Sequence, residues 1–219
     1  MKKKAIVLLS GGIDSATTLY IARKKGFTPL ALIFDYGQRH KKEIFLAKRL
    51  AKKARTPYKI IKLPFPGKAS SLLDKGDPVP TGRSFKEIKK GIPSTYVPAR
   101  NLIFLSIATS LAESIRASAI FIGAHRQDYS GYPDCRKEFF NKFKSVIASG
   151  TRDGKRIKIY TPLIDKRKKE IIKKGLDLKV PFRLTWSCYK GGKKPCGSCD
   201  SCLFRARAFR ELGIKDPAL

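Results

Sequence analysis

Short apolar runs alternate with longer amphipathic stretches along the first two thirds of the chain. Each run is long enough for one buried strand, and strands are predicted at 5–9, 30–34, 58–63, 119–123 and, more weakly, 158–160. Strands that alternate with helical stretches are typical of βαβ units around a parallel sheet. The pattern therefore predicts a doubly wound α/β fold.

The amphipathic stretches predict helices at 15–25, 41–54, 102–116, 167–175 and 203–212. The interval 64–100 breaks the alternation, since it holds six prolines and four glycines. A connection of this length inside a compact domain is usually disordered or functional, and we predict a lid that orders over a substrate. We expect residues 1–180 to form the α/β domain and residues 181–219, rich in Pro, Gly and Cys, to form a tail packed on it.

The chain of 219 residues carries 48 Lys and Arg against 17 Asp and Glu, a formal net charge of +31. Such an excess repels itself unless anions or a partner screen it, which makes nucleic acid a candidate partner. The lysines are dispersed, however, and do not form one basic block with interleaved aromatic residues. Direct tRNA binding is therefore not favoured but stays open.

Hydrophobic residues make up 42% of the chain and charged residues 30%, as in a folded soluble domain. No run approaches the ~20 apolar residues of a membrane span, and the run 5–9 is too short for a signal peptide. We expect a cytoplasmic protein without membrane association. A homo-oligomer is compatible with the sequence.

A glycine-rich loop, Ser10-Gly11-Gly12-Ile13-Asp14-Ser15, follows the first predicted strand directly. Ligands of open parallel sheets bind beyond the carboxyl ends of the strands, and a helix N-terminus behind a glycine turn favours anions. The Ser10 and Ser15 hydroxyls can donate to phosphate oxygens, and we assign Asp14 to a magnesium ion that bridges the phosphates. A plain packing turn is the alternative for a bare Gly-Gly pair.

Four cysteines are spaced C-x7-C-x2-C-x2-C near the end of the chain, at Cys188, Cys196, Cys199 and Cys202. Four thiolates so placed can close a tetrahedral zinc site of structural type, which we favour. An iron–sulfur cluster is the main alternative, because the last three cysteines repeat a ferredoxin spacing. Disulfides are disfavoured in the cytoplasm. Cys135 stands apart as a small buried or free thiol.

The full string SGGxDS after a strand resembles the PP-loop of the N-type ATP pyrophosphatases, enzymes that adenylate an oxygen of their substrate. It is neither a Walker loop nor a dinucleotide fingerprint. The resemblance implies the adenine nucleotide alpha hydrolase type of α/β fold. It also implies ATP binding by Leu8, Leu9, Ser10, Gly11, Gly12, Ile13, Asp14, Ser15, Ala16, Thr17 and Thr18.

Four further strings extend the resemblance over essentially the whole chain: FDYGQRH at 34–40, VPARN at 97–101, SGYPDCR at 130–136 and TWSCY at 185–189. Together with the loop and the cysteines they closely resemble the 7-cyano-7-deazaguanine synthase family. The resemblance implies conversion of 7-carboxy-7-deazaguanine, ammonia and ATP to the nitrile through an adenylated acid and an adenylated amide, as a step toward queuosine and archaeosine. It also implies one zinc ion bound by the four cysteines.

Six residues of these strings and their surroundings are candidates for the deazaguanine substrate. Tyr36 or Tyr132 could stack on the ring, and Arg100 or Arg136 could meet its carboxylate. A carboxylate, Asp134 or Asp128, could accept the ring N–H and the amino group. His40 and His125 are interpreted as structural.

Two other functions compete with this one. A PP-loop enzyme that thiolates tRNA would account for the charge of +31 and could hold an iron–sulfur cluster with the cysteines. A zinc-dependent RNA-binding module would need no catalysis.

Overall fold

Five parallel strands form the centre of the protein, in the order β3-β2-β1-β4-β5. The computed structural model describes residues 3–65, 67, 69–88, 91–125 and 131–218. The strands are β1 Lys4–Leu8, β2 Thr28–Asp35, β3 Tyr58–Lys62, β4 Ala119–Phe121 and β5 Lys158–Tyr160. After β1 the chain adds β2 and β3 on one side of that strand, and it then crosses back to add β4 and β5 on the other side of β1. The gap between the carboxyl ends of β1 and β4 is therefore the switch point, where such sheets bind ligands.

Helices cover both faces of the sheet, which is why the strands are apolar throughout rather than alternating. The helices are α1 Ile13–Lys24, α2 Lys42–Lys53, α3 Phe85–Ile88, α4 Arg100–Ser114, α5 Lys137–Gly150, α6 Lys168–Asp177 and α7 Asp200–Glu211. One buried cluster joins the sheet to α1, α2, α6 and α7, and a second joins it to α4 and α5. No helix in the described part of the chain is long and apolar enough to span a membrane.

The doubly wound α/β prediction is confirmed, and each predicted strand matches an observed one to within two residues. The prediction contained no helix between β4 and β5, where α5 lies. The signal was present, because Phe140, Phe143 and Ile147 recur at helical spacing and are buried against the sheet. The Pro- and Gly-rich interval 64–100 contains the short helix α3 and the first residue of α4.

Candidate active site

The glycine loop turns the chain from β1 into α1 at the switch point. Gly11 has a φ of +88°, and a Cβ added there would lie 2.5 Å from the main-chain oxygen of Glu43. Glycine alone satisfies both the positive φ and this close approach of α2. The hydroxyls of Ser10 and Ser15 lie 3.0 Å apart, and the Ser10 main-chain N–H donates to Ser15 Oγ at 3.1 Å. The sequence around the loop thus fixes two hydroxyls and a helix N-terminus together.

A cavity of about 250 Å³ opens in front of this loop, between the carboxyl ends of β1, β2 and β4 and the segment around Trp186. Six of the predicted ATP-binding residues line it, namely Leu8, Leu9, Ser10, Gly12, Asp14 and Ser15. The other five are buried behind the loop: Gly11, Ile13, Ala16, Thr17 and Thr18. The Trp186 main-chain N–H donates to Gly11 O at 2.9 Å, which ties the tail to the loop.

Asp14 forms a partly buried ion pair that the sequence did not reveal. Lys168 Nζ, in the first turn of α6, donates to both carboxylate oxygens of Asp14 at 2.7 and 2.8 Å. His125 Nε2 lies 3.0 Å from Lys168 Nζ and 3.5 Å from Asp14 Oδ2. Burial alone would raise the pKa of Asp14, but Lys168 and His125 outweigh it and hold that pKa well below its usual range. The stability from this pair is therefore present at neutral pH and lost only in strong acid.

The opposite wall of the cavity is aromatic and carries one cation. The rings of Phe34 and Phe104 stack with their centroids 3.9 Å apart, and Tyr36 packs edge-on against Phe104. Arg100 Nη1 donates to the Tyr36 hydroxyl at 3.3 Å. Burial raises the pKa of Tyr36 to about 12 although Arg100 opposes it, so the hydroxyl stays protonated at neutral pH. A flat ring with an anionic substituent fits such a wall.

Only some of the predicted substrate residues lie at the cavity. Tyr36, Arg100 and Tyr132 line the cavity. Asp134 does not line it, and its carboxylate accepts the Asn101 main-chain N–H at 2.8 Å, at the start of α4. Arg136 is exposed immediately before α5. Asp128 lies outside the described residues.

His40, His125 and Cys135 occupy three different environments. His40 Nε2 lies 3.1 Å from the Cys188 main-chain oxygen, to which it can donate. His125 contacts the Asp14 pair instead. Cys135 is buried, lines the cavity and accepts a hydrogen bond from Asn101 Nδ2 at 3.1 Å.

Glu43 is a second carboxylate of the cavity wall that sequence reasoning missed. It lies in the first turn of α2, and its side chain is 25% exposed. Burial raises its pKa to about 7, with Arg100 acting in the opposite direction. An acid in a first helical turn normally stabilises the helix dipole, so its position in the sequence gave no signal of a cavity.

The predicted lid interval is anchored at several points. Arg39 donates through its guanidinium to four main-chain oxygens, those of Ser71, Asp74, Lys75 and Asp77. Further along, the Gly82 N–H donates to Ser198 O at 2.9 Å, and Arg83 pairs with Asp200. Leu72, between these anchors, lines the cavity. The interval is thus attached both to the FDYGQRH string and to the cysteine segment.

Replacing Arg39 with alanine is expected to loosen residues 71–77, since four main-chain oxygens lose their shared donor. Limited proteolysis with mass spectrometry should show cleavage in this segment at least ~10-fold faster than in the wild type. Arg49→Ala, an exposed position on α2, is the matched control and should leave the rate unchanged. An unchanged rate in Arg39→Ala would contradict the anchoring role.

The four cysteines of the tail converge on one point. The sulfurs of Cys188, Cys196, Cys199 and Cys202 all lie within 4.8 Å of one another, so the group could hold a metal ion. Main-chain N–H groups of Cys196 and Cys199 donate to the sulfurs of Cys188 and Cys196, as expected where thiolates carry charge. Sulfurs around a tetrahedral zinc ion are about 3.8 Å apart, close to this arrangement.

Comparisons with known proteins show which family the chain belongs to. The family model described as queuosine biosynthesis protein QueC matches residues 4–213. Curated relatives include the 7-cyano-7-deazaguanine synthases of Thermoplasma volcanium, 48% identical over 99% of this chain and 90% of the relative, and Thermoplasma acidophilum, 50% identical over 99% and 91%.

Among solved structures, an NMN synthetase from Francisella tularensis is similar with a TM-score of 0.52 and 15% identity. The likeness covers 98% of this chain and 78% of that one and concerns the fold alone. The family match over residues 4–213 and the relatives near half identity establish the relationship. The chain belongs to the QueC family of queuosine biosynthesis proteins.

Proposed function

We propose that this protein converts 7-carboxy-7-deazaguanine, ammonia and ATP to 7-cyano-7-deazaguanine, a precursor of queuosine and archaeosine. Membership of the QueC family, whose curated relatives carry the name of this synthase, is the observation that supports it most directly. The cavity adds the parts that the chemistry needs, an anion-binding loop facing an aromatic wall with Arg100. The tRNA-thiolating alternative is not favoured by these relatives.

The reaction uses the loop twice. A carboxylate oxygen first attacks the α-phosphorus of ATP and expels pyrophosphate, which gives an adenylate that ammonia converts to the amide with loss of AMP. The amide oxygen is then adenylated in the same way, and its departure as AMP leaves the nitrile. Both activations put extra charge on phosphate oxygens, so one set of cationic and N–H donors serves both.

We assign the phosphates to the loop and to Lys168. The N-terminus of α1 and the hydroxyls of Ser10 and Ser15 face the cavity and suit anionic oxygens. Lys168 supplies a fixed positive charge beside them, and Asp14, a hard oxygen ligand on the same wall, would hold the magnesium ion of ATP. Magnesium neutralises phosphate charge when it is bound.

For the tail we propose one structural zinc ion per chain, with Cys188, Cys196, Cys199 and Cys202 as its ligands. Four protein ligands leave no open position for chemistry. The ion would hold the segment that includes Trp186, Ser187 and Tyr189, all of which line the cavity. Residues 181–219 are accordingly proposed as a tail that completes the site of residues 1–180.

Within the cavity we propose Tyr36 or Tyr132 as the stacking partner of the deazaguanine and Arg100 as the partner of its carboxylate. Of the two candidate arginines, Arg136 is exposed and Arg100 lines the cavity, which supports Arg100 as the partner of the carboxylate. Of the two acceptors considered for the guanine edge, Asp134 does not line the cavity and supports the start of α4, so Asp128 stays the proposed acceptor. The free base, rather than tRNA, is the proposed substrate.

The test is to incubate the purified protein with 7-carboxy-7-deazaguanine, ammonium and Mg-ATP and to follow products by mass spectrometry. We expect the amide first, then the nitrile, with two AMP and two pyrophosphate for each nitrile. Omitting ammonium should stop the reaction at the adenylate. Absence of both amide and nitrile from metal-replete protein would overturn the proposal.

A further inference from the structure

Glu43 occupies a position between the two halves of the cavity. Its main-chain oxygen is the atom that a Cβ at Gly11 would strike, so its helical turn abuts the glycine loop. Its carboxylate lines the cavity on the side where Arg100 and Tyr36 lie. The side chain is thus placed between the proposed adenylate site and the proposed carboxylate partner of the substrate.

The carboxylate of Glu43 has little to stabilise its charge. Among the residues that the structure describes, the His40 ring lies nearest, with Nε2 3.6 Å from Oε1 and 3.1 Å from the Cys188 oxygen. Burial lowers the pKa of His40, which favours the neutral ring, so His40 supplies no fixed positive charge. Arg100 acts electrostatically from α4, and the Tyr36 hydroxyl faces the same space from the end of β2. No hydrogen bond to the Glu43 carboxylate occurs within the described part of the chain. Such a carboxylate accepts a proton more readily than a solvated one.

The proposed reaction requires a proton acceptor at the nitrogen. When ammonia attacks the adenylate, a C–N bond forms and the C–O bond to AMP breaks, and the nitrogen must lose one proton to give the neutral amide. In the second stage the adenylated amide carries two protons on nitrogen, and both must leave as the C–O bond to AMP breaks and the nitrile forms. A base near this nitrogen is therefore needed repeatedly.

We propose that Glu43 is the general base of both nitrogen steps, taking protons from the ammonia-derived nitrogen and passing them to water. This inference rests on the proposed function. Its raised pKa, about 7, suits a group that must accept and release protons near neutrality. Adenylation itself transfers no proton from nitrogen, so Glu43 should be dispensable for that step.

The test is Glu43→Gln, which keeps the shape of the side chain and removes the base. Adenylate formation can be measured without ammonium, as the exchange of pyrophosphate into ATP that depends on 7-carboxy-7-deazaguanine. Its rate should stay within about 5-fold of the wild type, while the rate of amide formation falls at least ~100-fold. Nitrile formation from added amide should fall similarly. At constant free ammonia, the wild-type rate should rise with pH through an inflection near 7 that Glu43→Gln lacks.

Two variants act as controls. Glu138→Gln removes an exposed acid from the first turn of α5, the matched position on another helix, and should keep wild-type rates. Glu43→Asp should keep the pH inflection with an intermediate rate.

A carboxylate whose pKa is raised by folding destabilises the fold as pH rises from about 4.5 to about 7. Glu43→Gln should therefore unfold at a temperature about 5 °C above that of the wild type at pH 8, and at the same temperature as the wild type at pH 4.

The outcomes separate this inference from the proposed function. Equal loss of adenylation and amide formation would make Glu43 a substrate-binding residue, and an amide rate within about 3-fold of the wild type would remove any role as base. Either result overturns the inference while leaving the wild-type synthase intact. A wild type that forms no amide or nitrile overturns the proposed function itself.

Discussion

Cys199→Ser is expected to lose the proposed zinc ion and, with it, a large part of the stability of the chain. Metal binding to such a site is folding free energy, so the loss should amount to about 3 kcal/mol or more. For a chain of this length that lowers the unfolding midpoint by roughly 6–12 °C. Metal analysis by mass spectrometry and a thermal scan measure the two effects.

The effect should reach beyond the cluster. Cys199 pairs with Thr81 in an isolated β-bridge, and the neighbouring Ser198 oxygen accepts the Gly82 N–H. Loss of the metal should therefore also expose residues 81–83 to proteolysis. Cys135→Ser, a buried cysteine outside the cluster, is the control and should keep its full metal content. A Cys199→Ser protein with wild-type metal content would refute the assignment, and iron in the wild type would refute zinc.

Asp14→Asn is expected to abolish ATP turnover while the fold survives. The substitution removes the proposed magnesium ligand and one of the two charged oxygens that position Lys168, and it should lower pyrophosphate release at least ~100-fold. Asparagine can still accept a hydrogen bond from Lys168, so we expect a loss of only about 1–2 kcal/mol in unfolding free energy. Ser10→Ala should impair turnover in the same direction.

Asp165→Asn provides the matched control for this prediction. Asp165 lies three residues before Lys168, but its side chain is 71% exposed, and its substitution should change neither rate nor stability. Substrate-dependent pyrophosphate release and urea unfolding measure the two properties. Wild-type turnover in Asp14→Asn would show that the loop carries no essential carboxylate.

The strands and the glycine loop could be predicted from sequence because their signals are local. A buried strand followed by SGGxDS places its ligand at a strand end whatever the rest of the chain does. The α/β fold is confirmed, and β5 has the predicted bounds. The sequence analysis assigned no element to α5, although Phe140, Phe143 and Ile147 recur at helical spacing.

The partners of the loop could not be predicted in this way. Lys168 lies 154 residues from Asp14 and enters the site only because α6 packs beside α1. Glu43 reaches the cavity because Gly11 lets α2 approach the loop. These contacts depend on how the helices pack. Neither Lys168 nor Glu43 shares a sequence motif with the loop residue that it approaches. Asp134 is the opposite case, because it belongs to the SGYPDCR string but its carboxylate accepts the Asn101 N–H at the start of α4.

The hydrogen bond between Trp186 and Gly11 also has a consequence for biosynthesis. A loop near the start of the chain is held by a residue that the ribosome adds much later, and the cavity wall needs Ser187, Tyr189 and Ser201 as well. All five strands of the sheet precede this segment and lie within residues 4–160. Competence to adenylate should therefore arise abruptly, when residues 186–202 join an otherwise folded nascent chain.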